Sequence, residues 1–350
     1  MRIPRIPVIG IGMLVGAMTL CWTHALNAAE PNALFAGEAP LTVEIRGPIQ
    51  TIVRRAERST DAYPATMSID GAALPIALSA RGNSRRMDDR CRFPPLRVAL
   101  QGDAPDGHVM ADQKRLKLVT HCRDSDRIEQ LALREYAAYR LYRAMTPESL
   151  AVRLARITYV DDGSGKPVTT RYGFFIEDAD DAAERLGRKE IDVPAIDVTS
   201  LDRAAAGRFA AFQYMISNVD WSLLASAGDK DCCHNVKLAR ADGGGPVLPL
   251  PYDFDAAGIV DAPYAFAPQD LGGNDVRQRH YRGLCLHNSD ARAAVAALRP
   301  RRAELLRIAT DIPGMDERSR DKTRKFLDKF FEDIETDEVM ERRMFSDCRS

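Results

Sequence analysis

Between Asn218 and Gly258 the chain carries the residue types that phosphoryl transfer uses, in an order that gathers them. Asn218-Val-Asp220-Trp221 closes a stretch of helical spacing. Asn235 opens the apolar run His234-Asn-Val-Lys-Leu238, and Tyr252-Asp253-Phe-Asp255-Ala-Ala-Gly258 follows a second such run. The glycines at 243–245 between the two runs predict a hairpin, Asn235–Ala239 with Val247–Leu250. A hairpin brings its own ends together, so Asn235 and Asp253 are expected as neighbours, with Asp220 entering from the preceding loop. One carboxylate, Asp220, would accept the proton of an attacking hydroxyl. Asp253 and the Asn235 amide oxygen would hold a divalent cation on phosphate oxygens. Oxygen ligands suit Mg²⁺ or Mn²⁺. Asn218 is a second amide candidate, and each aspartate alone also reads as a turn former.

The elements around this unit divide the chain in two. The first half predicts strands at Leu41–Arg46, Ala65–Ile69, Leu74–Ala80, Leu96–Leu100 and Leu116–Thr120. A long helix over Asp126–Met145 follows, with Asp124, Ser125 and Asp126 supplying N-cap chemistry. A hairpin, Val152–Val160 with Val168–Ile176, completes this half. The second half predicts helices at Leu201–Ser217, Asp290–Ala309 and Asp316–Met344. The pattern is α+β in two lobes with a cleft between, residues 30–177 β-rich and 178–350 helical.

Residues 1–29 have the layout of a secretory signal peptide. Arg2 and Arg5 precede an apolar run, Ile6–Trp22, and small residues end at Ala28 and Ala29. No second long apolar run exists, so no stable membrane insertion is expected after cleavage. Removing a segment with two arginines and no acid takes the formal charge from −1 to −3, which gives no electrostatic footprint for nucleic acid. Cys21 leaves with the signal. Six cysteines remain, an even number that reads as disulfides in an exported chain. Cys91 precedes one strand and Cys122 ends another, so antiparallel pairing would join them. Cys285 is expected on Cys232 or Cys233, with the other on Cys348, because a ring between adjacent cysteines strains the peptide.

In order along the chain, several short motifs resemble the spore-coat-protein-H (CotH) type of secreted, kinase-like proteins, an atypical branch of the protein-kinase fold. Arg81-Gly-Asn-Ser84 resembles that family's RGNS turn, and Phe93–Leu100 is similar to the strand after it. Gly173-Phe-Phe-Ile-Glu177 resembles a G-x-Y-x-x-x-E strand, one residue short. Asn218-Val-Asp220 and Tyr252-Asp253-Phe-Asp255 are similar to the catalytic and metal-binding loops. The resemblance spans residues 76–260 in pieces. It implies a two-lobed kinase-like fold and an exported phosphotransferase that moves phosphate from ATP to hydroxyls of an unidentified exported protein. It further implies that Lys117 grips the phosphates, with Arg97 its competitor, that Glu135 on the long helix is its partner, with Glu129 the other choice, and that Arg81 covers the nucleotide. Two departures stand out. Asp220 and Asn235 are fifteen residues apart, with Cys232 and Cys233 between, against about five in ordinary kinases. No GxGxxG loop exists. Both fit an inactive binding module as a second reading. A metal-dependent phosphoester hydrolase using Asp253 and Asp255 is a third.

Overall fold

In Leu41–Gly47 apolar residues alternate with polar ones, and the odd positions Leu41, Val43, Ile45 and Gly47 are the buried ones. This strand, β1, begins a sheet that closes on itself. The computed structural model describes residues 31–224, 232–266, 275–346 and 348–349, with Met1 and Leu271. The signal segment and Cys21 lie outside the described residues. A short helix, α1 (Ala33–Ala36), precedes β1, and α2 (Ile49–Arg55) follows it. Then come β2 (Tyr63–Ile69), β3 (Ala72–Ala80), β4 (Leu96–Leu100) and β5 (Arg115–Val119) as an antiparallel meander. The helix α3 (Asp126–Met145) precedes β6 (Val152–Asp161) and β7 (Pro167–Ile176). β7 pairs with β5, and β6 pairs in parallel with β1 from Leu41 opposite Ala155 to Gly47 opposite Asp161. The result is a closed seven-stranded mixed barrel in the order β1-β2-β3-β4-β5-β7-β6.

That closure corrects the expected fold class. A two-lobed kinase-like architecture requires an open sheet in the first lobe, whereas here β1 and β6, which would be its edges, are hydrogen-bonded to one another. Closure leaves no unpaired edge in the sheet. Val43, Ile45, Met67, Leu78, Val98, Leu118, Ile157 and Phe175 fill the interior.

The remainder is α4 (Ala179–Arg185), β8 (Lys189–Ile191), α5 (Arg203–Met215), β9 (Val236–Arg240), β10 (Leu248–Pro251), α6 (Asn288–Leu298), α7 (Arg302–Thr310), α8 (Glu317–Asp333) and α9 (Asp337–Met344). Strands β8, β9 and β10 form a small antiparallel sheet. The expected helix over Asp290–Ala309 is broken by a 3-10 turn at Arg299–Arg301 containing Pro300. The one over Asp316–Met344 stops at Asp333 and restarts at Asp337.

Helix α3 lies between barrel and helices, and every residue from Glu129 to Tyr139 is buried. Leu133, Tyr139 and Leu141 join Phe174 of β7, Phe212 of α5, Phe254, Leu305, Leu327 and Phe330 in the larger core. Ser125 occupies the N-cap but makes no side-chain cap bond. Asp124 and Asp126 instead clamp Arg171 of β7, at 2.7 and 2.5 Å.

Among the described residues there are three disulfides. Cys91–Cys122 is as expected, at the ends of paired β4 and β5. The others correct the expectation: Cys285 joins Cys348, and Cys232 joins its neighbour Cys233. A bridge between Leu284 and Arg349 lays the last residues beside Cys285, so Cys348 is used there and the adjacent pair is left to itself. Three disulfides fit an extracellular or periplasmic protein. Among the described residues no helix is long and apolar enough to cross a membrane.

Candidate functional site

The β9–β10 hairpin does what its sequence implies. Val236 faces Pro251, and the Tyr252 N–H donates to the Asn235 carbonyl at 3.2 Å, so the two ends close. Asn235 and Asp253, just outside the strands, both adopt the left-handed conformation, φ 54° and 61°. Asn and Asp tolerate it better than most residues. The Tyr139 hydroxyl of α3 accepts from the Asp253 N–H at 2.9 Å, fixing this loop to the core helix.

Asp220 sits in the loop after α5, and the Asn218 side chain accepts from its N–H at 3.0 Å. Asn218 is therefore a loop brace, and its Oδ1 is committed. Asn235 Nδ2 donates to the Asp220 carbonyl at 2.7 Å and to its Oδ2 at 3.1 Å. With Nδ2 used, Oδ1 is the acceptor end of the amide. His234 Nε2 lies 2.7 Å from Asp220 Oδ1. Trp221 beside them is a core anchor: it is buried edge-on against Phe209 and donates to the Asn218 carbonyl.

Asp220, His234, Asn235 and Asp253 line a cleft of about 600 Å³ together with Arg81, Gly82, Arg85, Lys237 and Tyr264. The Arg81-Gly-Asn-Ser84 turn leaves the end of β3, and Gly82 at φ +88° permits the reversal. A 3-10 turn at Ser84–Arg86 then sends Arg85 inward. Cys91–Cys122 ties the far end of this segment to the end of β5.

Arg85 is the residue that sequence reasoning missed, and it organises the cleft floor. Its Nη1 meets Glu135 Oε2 at 2.9 Å, Nη2 meets Asp253 Oδ1 at 2.5 Å, and Nε lies 3.2 Å from Asp255 Oδ2. Burial disfavours its charge, but Asp255, Glu135 and Asp253 outweigh burial and raise its pKa further. Burial pushes the Glu135 carboxyl up to about 8 despite Arg85, with Asp255 and Asp253 adding to the rise. Burial likewise lifts Asp255 to about 6, and the Tyr264 hydroxyl bonds to it. Asp253 goes the other way: Arg85 and Arg81 overcome burial and hold it below the usual carboxylate range. The only signal for Arg85 was a second arginine four residues after Arg81.

The sequence expectation of a Lys117–Glu135 pair is not met: Glu135 takes Arg85 instead. Lys117 on β5 lies behind the cleft wall, with Nζ 5.1 Å from the Tyr252 ring centroid. Burial, with Arg81 adding to it, lowers its pKa to about 8. Arg97 is its cross-strand neighbour on β4. Glu129 is spent on the Tyr172 N–H at 2.5 Å. Arg81 does line the cleft, with burial lowering its pKa and Asp253 opposing that.

Hard oxygen donors for a divalent cation are therefore at hand in Asp253, Asp255 and Asn235 Oδ1, and Arg85 neutralises the same two carboxylates. A different acidic group, Asp178, Asp180 and Glu190, converges nearby. Arg115 holds the first two and Lys237 the third, so each of these carboxylates already has a cationic partner. No family model and no curated protein matches the chain.

Proposed function

We propose that the chain is an exported phosphotransferase, acting in the periplasm or outside the cell, that transfers phosphate from a nucleotide such as ATP to a protein hydroxyl. The observation that supports this most is the Asn235–Asp220 contact in the same cleft as Asp253 and Arg81. It gives the two aspartates separate surroundings. Asp220 is half exposed and hydrogen-bonded to His234 and Asn235, suited to taking a proton from an entering hydroxyl. Asp253 is held ionised by arginines, suited to a cation. A bound Mg²⁺ or Mn²⁺ on Asp253 and Asn235 would neutralise phosphate charge. Arg81 and the backbone of Gly82–Ser84 would cover the phosphates from above. The resemblance to CotH-type proteins belongs to this proposal as an order of motifs, carried here on a closed barrel.

One observation favours a second reading, an inactive binding module: Arg85 already supplies a cation to Asp253. Thermal shift of the mature protein with ATP and Mn²⁺, beside labelled-phosphate transfer, separates them. A ligand at 100 times its Kd should stabilise by about 2.7 kcal/mol. Binding with transfer supports the phosphotransferase, and binding without transfer supports the module. Phosphate release without an acceptor points to a hydrolase. Failure to bind removes the nucleotide from both readings.

A further inference from the structure

Arg134 and Glu135 are consecutive on α3, and both are buried, but they face different spaces. Glu135 meets Arg85 at the cleft floor. Arg134 lines a separate cavity of about 480 Å³ on the other side, between α3, the Gly258–Ile259 loop, residues 275–279 and α8. We propose that this cavity is a binding site for a small polyphosphorylated molecule, independent of the cleft.

The first argument is Arg134 itself. It is only 5% exposed, and its Nε and Nη1 are buried without a hydrogen-bond partner. A guanidinium has five donors and no other ionisation state to retreat to. A buried charge without partners is costly, and Arg134 borders the cavity, so an oxyanion there would supply the counter-charge that the fold does not. The carboxylates whose charge acts on Arg134 are Asp261 and Asp316. Asp261 is taken by Lys322, and Asp316 caps α8 by accepting from the Ser319 N–H at 2.7 Å. Burial lowers the Arg134 pKa, as expected for a cation whose counter-charge is distant.

The second argument is the lining. Arg134, Arg277, Arg279, Lys322, Lys325 and Lys329 face one carboxylate, Asp275, among the described residues. Asp275 is clamped by Arg277 at 2.7 Å. Arg279 is fixed rather than mobile: it donates to the Phe326 carbonyl at 2.7 Å, stacks over the Phe326 ring at 4.4 Å and lies 3.6 Å from Asp333. Lys325 is shared with Asp321 at the helix surface.

The third argument is the spacing on α8. Lys322, Lys325 and Lys329 recur at i, i+3 and i+7, which puts three like charges on one face. Like charges one turn apart oppose the helix. An anion between them reverses the sign. The cavity volume falls in the small-ligand range of roughly 300–1,000 Å³. Arginines grip phosphate oxygens through a two-donor fork and lysines add point charge, and six cations in one lining suit a ligand with several negative charges.

Titration with tripolyphosphate, in EDTA to exclude metal-dependent binding at the cleft, tests the site by calorimetry. Wild type should bind at a stoichiometry of about one. Lys325→Glu with Lys329→Glu, both on a solvated helix face, should weaken binding at least tenfold. Arg134→Gln should do the same, while Arg81→Gln in the cleft should leave it unchanged. The idea is overturned if wild type does not bind or if the double lysine variant binds as wild type does. It is also overturned if Arg81→Gln alone abolishes binding, or if a phosphoserine peptide binds where tripolyphosphate does not. ATP binding and phosphate transfer at the cleft are separate readouts, so failure here leaves the proposed function standing.

Discussion

Arg85 and Glu135, fifty positions apart in sequence, meet at 2.9 Å in an ion pair buried at both ends, and the same guanidinium extends to Asp253 and Asp255. One cation thus answers three carboxylates. Arg85→Met should destabilise the protein by about 3–5 kcal/mol at neutral pH, because it strands the negative charge of Asp253 and Asp255, the two of the three that are ionised there. The loss should shrink at acid pH, where the carboxylates protonate. Urea midpoints at pH 5 and 7.5 check this, and Mn²⁺ should restore more stability to the variant than it adds to wild type.

The two aspartates of the hairpin unit should fail differently. Asp253→Ala should abolish both nucleotide–metal binding and turnover. Asp220→Asn keeps the shape and removes the proton acceptor. It should leave binding near wild type while turnover falls roughly 10²–10⁴-fold. Equal loss of binding in both variants would reject the division of labour.

His121 is buried beside Phe93 and Tyr159 with neither ring nitrogen hydrogen-bonded. Burial lowers its pKa from 6.5 to about 4. Between those values the unfolded chain binds the proton that the folded one refuses. Stability contributed by neutral His121 is therefore present above pH 6.5 and lost as pH falls toward 4, by about 3 kcal/mol in full. His121→Phe should flatten that limb in urea denaturation from pH 4 to 7, and an unchanged slope would assign the acid sensitivity elsewhere.

The disulfides should differ in worth. Cys285–Cys348 closes a loop of 63 residues in sequence separation and Cys91–Cys122 one of 31, each worth about 4 kcal/mol by chain entropy. Cys232–Cys233 closes no loop, so replacing both by serine should move the urea midpoint far less than replacing Cys285 and Cys348.

Local patterns were readable and distant ones were not. Helix α3 runs over the residues its periodicity marks, and the β9–β10 hairpin joins Asn235 to Asp253 because both signals lie within one element. Parallel pairing of Leu41–Gly47 with Ala155–Asp161 leaves no local mark, since any alternating strand fits several neighbours. Arg85 sat in a polar turn that reads as surface. Its partners come from α3 and the loop after β10, so only the assembled fold reveals its role. Cys348 was misassigned because its place depends on a single bridge at the chain end.

Barrel closure also sets a timetable. During synthesis β1 appears early and finds β2 at once, but its other side has no mate until β6 is made, after the whole of α3. Until then the nascent sheet has a raw margin and an open apolar lumen, the state in which chains adhere to one another. Chaperone demand should therefore peak while the chain between β2 and β7 is emerging, and drop when β7 enters between β5 and β6 and completes the ring.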